Sequence, residues 1–493
     1  MNDILITHAT VVAVDSSNRI LRDAAIAIRG REIVAIGPTE VVSVEYPARE
    51  VIDVRGMIAL PGLVNAHFHP FCSLYRGVLD DLGLWDMFLG MALCFFHMTP
   101  EETFAIARLA ALEMLKSGTT YANCFGHPAG MEATLAEARA LSEVGLKGRY
   151  AYFLQDRLSF SNKSRETQIA EARTFAETAR SDGQRIDPAL GIEIDVLASP
   201  ALLRDVASLA AGHDLRVHVH MLEFAQTRAL ARALEGREVL DTFHAAGLLN
   251  GGLMAAHCRT LLPADARRFA EAGVSVLHCP TVYLKYAEGK HLWLPIRELL
   301  EAGANVALGS DTSGLTGSAD LFQEMKTATL AASFVYGAPG LRVGEALRMA
   351  TINGARAVGM AARIGSLEVG KAADIVLLKT GAVHLTPLRN VVGQIVNAAT
   401  SADVDTVLVD GRVVLRRGQA TSADESDVIA HAEVAATAVF DRAQWRAGLD
   451  KPPFPRARAI AATRMTGKGI GFAAEIAGKM LLRRLGLLRQ DGG

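Results

Sequence analysis

Cysteine is scarce in this chain. The five cysteines in 493 residues, Cys72, Cys94, Cys124, Cys258 and Cys279, include no Cys-x-x-Cys pair. An odd, scattered set argues against a disulfide framework and against a cysteine zinc site, and a reducing cytoplasm fits it. An excess of one charge is missing as well. The formal net charge is −2 and the pI about 6.7, so no global field favours nucleic acid or an anionic membrane. Met1-Asn2-Asp3-Ile4 has no basic region leading into an apolar run, so no secretory signal is expected. Gly467-Lys468-Gly469-Ile470-Gly471 lacks the preceding strand and the lysine-serine ending of a phosphate loop. His431-Ala432-Glu433 is followed by no Pro-Cys-x-x-Cys, which separates it from the His-x-Glu of the unrelated zinc nucleoside deaminases and leaves an ordinary helix surface.

What is present is apolar material for a large core: 50% of residues are hydrophobic and 21% charged. Residues 4–7, 11–15, 24–29, 33–36 and 50–54 are short β-branched runs between turns, and 373–378, 391–397, 404–409 and 412–415 look the same. These two distant pieces are expected to form one small β-sandwich. Between them, strand-like runs at 150–154, 191–196, 216–220, 252–258, 274–279 and 306–310 alternate with helical patterns at 100–117, 129–144, 163–180, 200–212, 263–272 and 294–302. Repeated units of this kind predict an α/β fold, a TIM-like (β/α)8 barrel over 57–364 with its chemistry at the carboxyl ends of the strands. The sandwich takes 1–56 and 365–423, and a helical extension follows from 424 to 493.

The strand ends carry the chemistry. Pro61-Gly62-Leu63-Val64-Asn65-Ala66-His67-Phe68-His69-Pro70 is an apolar strand ending in two histidines, and a period of two points His67 and His69 the same way. Neutral imidazole is the commonest protein metal ligand. Arg216-Val217-His218-Val219-His220 closes another strand, with Glu223 just beyond; further runs end in His257, His278 and Asp311. If these ends converge, His67, His69, His220 and Asp311 supply three nitrogens and one oxygen, a shell that suits zinc or ferrous iron better than calcium or magnesium. Singly, each could be a core histidine or a capping aspartate; as a set they point to a hydrolytic metal site.

With those residues in view, the chain resembles the amidohydrolase superfamily, in its cytosine-deaminase-like branch with guanine deaminase, adenosylhomocysteine deaminase and the triazine hydrolases such as atrazine chlorohydrolase. The likeness covers about residues 3–420. It rests on the His67/His69 strand, Ser117-Gly118-Thr119-Thr120, His220 to Glu223, Ala256-His257-Cys258, His278-Cys279-Pro280, Leu308-Gly309-Ser310-Asp311, Ala350-Thr351-Ile352-Asn353-Gly354-Ala355 and Ile364-Gly365-Ser366-Leu367-Glu368-Val369-Gly370-Lys371-Ala372-Ala373-Asp374. The resemblance implies one divalent metal, zinc first with iron, manganese or cobalt as alternatives, held by His67, His69, His220 and Asp311. It further implies that Glu223 shuttles protons, that His257 hydrogen-bonds the attacking water or the polarised substrate, and that Asp311 takes the water proton.

Departures from the family pattern bear on the substrate. After the fourth strand, relatives that deaminate rings usually carry a His-Ala-Pro-Tyr-like loop; Asp195-Val196-Leu197-Ala198-Ser199-Pro200 is shorter and lacks that histidine, which weakens a purine-ring reading. The stretch from Leu84 to Phe96, with Trp85 and Phe88, is strongly apolar where acidic residues are usual, and this implies either an apolar substrate or a contact within a homo-oligomer. His278, Tyr283, His291 and Trp293 are further pocket candidates, each with a core or surface role as the alternative. From Arg456 to Gly493 there are eight Lys/Arg against two Asp/Glu, with Ile476, Met480, Leu481, Leu485 and Leu488 near helical spacing. This basic amphipathic tail is expected to pack on the subunit or a partner in preference to a membrane surface. The expected activity is hydrolysis, by metal-bound hydroxide, of a C–N bond in a small, fairly apolar amide, urea or aminated N-heterocycle. The alternatives are deamination of a purine, pyrimidine or triazine ring, hydrolytic dechlorination, and a catalytically silent barrel serving as a scaffold.

Overall fold

The computed structural model describes residues 2–80, 82–95, 97–158, 163–181, 185–286 and 293–445. The basic stretch 456–493 and His291 fall outside these residues, and the side chain of Trp85 is also not described.

The terminal β pieces do join, as one nine-stranded mixed sheet. Its order runs Gln419–Ala420, Arg412–Arg416, Val404–Val409, Ile375–Lys379, Met57–Pro61, Asn2–Val12, Ile20–Arg29, Glu32–Pro38, with Ala48–Asp53 also pairing on Asn2–Val12. Two runs expected as separate strands merge into Asn2–Val12, whose register shifts around His8, a residue at φ 60°. One expectation is corrected. Residues 391–397 form a helix, Val391–Asn397, and not a strand. The Asn390 side chain accepts from Gly393 N at 3.0 Å and so caps it. Val391, Ile395 and Val396 bury one face at helical spacing, and these β-branched residues fit either period when the run is short.

Eight parallel strands form the second sheet: β1 Leu63–Phe68, β2 Thr119–Phe125, β3 Lys147–Leu154, β4 Ile186–Ile192, β5 Arg216–Met221, β6 Leu253–His257, β7 Ser275–His278 and β8 Asn305–Leu308, each hydrogen-bonded to the next. Every residue of β1 and β2 is buried, as both faces of a helix-wrapped parallel sheet demand. Just past β8, the sheet closes on β1. Asp311 N donates to His67 O (2.9 Å) and His69 N to Asp311 O (2.7 Å). Gly309 makes the closure possible, because a Cβ there would lie 2.7 Å from His67 Cβ. The connecting helices start where their caps stand. Thr99 and Glu102 form a reciprocal capping box before Pro100–Lys116, and Ser199 caps Pro200–His213. At the opposite end of the barrel Lys147 Nζ reaches Asp374 at 2.9 Å and Asp410 at 2.6 Å, tying β3 to the flanking sheet through a buried ionic cluster. No helix among the described residues is long and apolar enough to cross a membrane.

Candidate metal centre and active site

The carboxyl ends of β1, β5, β6 and β8 meet at one point. Each of the last three bends sharply as it leaves the sheet: Leu222, His257, Cys258 and Asp311 all take positive φ (50°, 72°, 52° and 59°). Non-glycine residues in that region cost on the order of 1–3 kcal/mol each and cluster at functional sites. Here the bends turn Glu223, His257 and Asp311 toward the barrel axis. His69 Nε2 lies 3.1 Å from His220 Nε2, and Asp311 Oδ1 lies 3.7 and 3.8 Å from the Nε2 atoms of His67 and His69. The ligand-capable atoms of His67, His69 and Asp311 fall within 4.8 Å of one another, as do those of His67, His220 and His257.

This donor set fits a divalent cation. His220 Nδ1 faces Glu193 O at 2.5 Å, a contact it can make only as a donor, so its Nε2 is left as a bare lone pair. His67 Nε2 is buried with no hydrogen-bond partner. Burial and mutual repulsion hold His67 and His69 well below the ordinary imidazole value, and burial takes His220 down to about 4. Three imidazoles held neutral and a carboxylate, with one buried nitrogen, His67 Nε2, lacking any partner, match the donor chemistry of a divalent-metal site.

Two residues behind this set were not singled out from the sequence. His218, two places before His220 and fully buried, puts Nε2 2.8 Å from His67 Nδ1. Asn123 Nδ2 sits 3.3 Å from His218 Nδ1 and donates to Ala66 O at 2.8 Å. The signal was visible: His218-Val219-His220 repeats the His-x-His of β1. The other residue is Glu193, the first past β4 and part of the cavity wall.

The groups expected to act as acid and base lie beside the histidines. Glu223 Oε2 is 3.7 Å from His257 Nε2, which is 3.9 Å from Asp311 Oδ2. Burial, reinforced by the Asp311 charge, pushes the Glu223 carboxyl well above the usual range; burial takes Asp311 to about 7. The cavity above them is walled by Phe71, Phe88, Met91, Phe95, Phe224 and Leu315. Phe88 and Phe224 stack edge to face at 5.8 Å. The helix Leu84–Phe95 thus turns Phe88, Met91 and Phe95 into the site. His278, Tyr283 and Trp293 stand together elsewhere, the first two buried and Trp293 partly so, with ring centroids 5.2–5.6 Å apart. Tyr283 OH donates to His257 O at 3.1 Å, so this cluster braces the site from behind.

Residues 58–414 match the model of the Amidohydrolase family. The chain is 34% identical over 434 residues to a 5-methylthioadenosine/S-adenosylhomocysteine deaminase of Moorella thermoacetica, covering 87% of this chain and 98% of that protein. It is 36% identical over 398 residues to a 5'-deoxyadenosine deaminase of Methanothermobacter thermautotrophicus, covering 79% and 89%. The crystal structure of an adenosine deaminase from Xanthomonas campestris with bound zinc superposes with a TM-score of 0.83 at 31% identity, covering 89% of this chain and 99% of that one.

Proposed function

The chain belongs to the amidohydrolase family, and from that premise we propose that it is a metal-dependent deaminase hydrolysing the exocyclic C–N bond of an aminated N-heterocycle with an apolar face. The observation that carries the reading is the convergence of Glu223, His257 and Asp311 on the histidine cluster, under a wall of aromatic and aliphatic side chains. The relatives' deaminase activities support the reaction class. The apolar wall supports a ring that stacks.

His67, His69, His220 and Asp311 would hold the ion, zinc by likeness to the solved relative, although such donors also suit iron, manganese and cobalt. When bound, it supplies Lewis-acid polarisation and makes water a competent nucleophile near neutral pH. Asp311 Oδ2 accepts the proton of the attacking water. Glu223, whose carboxyl burial pushes upward, gives its proton to the ring nitrogen, so that the carbon under attack becomes electrophilic; the proton taken by Asp311 then passes to the amino group, which departs as ammonia while the adduct's hydroxyl proton returns to Glu223. His257 Nε2 donates to the oxygen that develops negative charge. Water and the amino-heterocycle are thereby converted to the oxo-heterocycle and ammonia. In this reading 57–364 is the catalytic domain, 1–56 and 365–423 its β flank, and 424–493 an accessory extension.

Ammonia release from a panel of aminopyrimidines, aminopurines and aminotriazines, beside simple amides and aryl ureas, tests the proposal. Glu223→Gln should retain the metal yet lower kcat on any active heterocycle by about 10²–10⁴-fold, the usual scale of general acid–base catalysis. Unchanged turnover would remove Glu223 from the mechanism, and turnover confined to amides or ureas would redirect the reading to acyclic C–N bonds.

A further inference from the structure

Buried carboxyl groups elsewhere in this protein have partners. Asp195 accepts from Leu222 N and Val196 N, both at 2.7 Å. Glu137 accepts from Phe71 N at 3.0 Å, and Glu324 from Thr281 N at 3.2 Å. Glu193 differs. It lines the cavity with its side chain 24% exposed, and its carboxyl accepts no hydrogen bond from any described residue; its ion-pair contact among them is His220 Nδ1 at 3.8 Å, a nitrogen already committed to Glu193's own carbonyl. Nor does Glu193 belong with the groups whose ligand atoms lie within 4.8 Å of one another, so a metal role does not account for it. Asp311 and Glu223 already serve the proton transfers.

The rest of the lining sharpens the contrast. Outside the histidine cluster, its acids and Thr312, the wall is almost wholly apolar, and no lysine or arginine lines it among the described residues. Burial and the Asp311 charge push the Glu193 carboxyl up to about 8; a ligand that offers it nothing adds to the desolvation, and one that is itself anionic repels its ionised form. A ligand bearing a donor relieves both. We infer that Glu193 determines substrate choice: it receives a hydrogen-bond donor, best a cationic amino group, carried on the substituent of the heterocycle, and excludes substrates with an anionic substituent. This deepens the deaminase reading and rests on it. The loop after β4 thus places a carboxyl on a wall whose other side chains outside the histidines, their acids and Thr312 are apolar.

The test uses the metal-loaded full-length protein and three 4-aminopyrimidines that differ only in a ring substituent: aminoalkyl, alkyl and carboxyalkyl. The wild type should prefer aminoalkyl over carboxyalkyl by 100-fold or more in kcat/KM. Glu193→Gln, which keeps the shape and removes the charge, should compress that ratio at least tenfold, with the change falling on KM; Glu193→Lys should invert the order. An unchanged ratio in Glu193→Gln, confirmed in Glu193→Ser, would overturn the inference. If no compound releases ammonia, the same three are ranked as ligands by the shift they produce in thermal unfolding. An aminoalkyl preference that Glu193→Gln abolishes would sustain the role of Glu193 while refuting the deaminase reading. No charge preference in the wild type would overturn it.

Discussion

Replacing His218 by phenylalanine should weaken ion binding although His218 is not expected to touch the ion. If His67 uses Nε2 as ligand, its Nδ1 carries the proton and donates across 2.8 Å to His218 Nε2. Phenylalanine preserves the ring packing, because His218 already lies against His67 and Phe125 with centroids 4.8 and 5.2 Å away. What is lost is the acceptor. An orphaned, fully buried N–H costs ~1–3 kcal/mol, which at about 1.4 kcal/mol per tenfold is roughly a 5- to 140-fold loss of affinity, bracketing the roughly 10- to 100-fold typical of outer partners of metal-bound histidines. Zinc or cobalt affinity, measured by competition with a chelator, reads the effect directly. His218→Gln, which can still accept from His67, should recover most of the loss. Equal affinity in the wild type and in His218→Phe would refute the argument that this contact orients His67.

Two further outcomes follow from the same geometry. Gly309→Ala forces a methyl to 2.7 Å from His67 Cβ and N and 2.9 Å from its O; the overpacking should cost ~1–3 kcal/mol and displace His67, so Tm and metal content should fall together, and a fall in Tm with full metal retention would show that the closure does not position the ligand. Metal uptake should also depend on pH through Asp311, whose carboxyl burial raises to about 7 in the metal-free protein. Ion binding requires the carboxylate, so apparent affinity should rise about tenfold per pH unit up to pH 7 and level off above it, with close to one proton released per ion at pH 6. His220, at about 4, is already neutral there and adds nothing. A pH-independent affinity between 5.5 and 7 would contradict the assignment.

The strand ends were legible because strands buried on both faces read as near-continuous apolar runs, and a ligand-capable residue that ends such a run stands out. His67, His69, His220, His257 and Asp311 each close an apolar run, and the fold brings them together. Glu193 was hidden by the same logic. The run 191–196 looks more strand-like than 186–192, which contains Asp187 and Pro188, yet pairing with β3 and β5 selects the latter and leaves Glu193 as the first residue outside. Only partner strands decide that, and a single sequence does not show them. His278, Tyr283 and Trp293 were legible as pocket candidates but not as a brace behind the site, since Tyr283 stands on the helix Pro280–Tyr286 after β7 and strand periodicity does not show how that helix packs. The apolar stretch after β1 leaves substrate wall and subunit contact equally open in the sequence; in the structure Phe88, Met91 and Phe95 line the cavity.

The central claim is tested most directly by removing and restoring the metal. The purified protein should carry about one equivalent of a divalent ion, chelation should abolish ammonia release from its aminated heterocycle without unfolding the protein, and one equivalent of zinc should restore it. Full turnover after verified removal of the metal, or a purified protein that neither carries nor takes up an ion, would contradict the account.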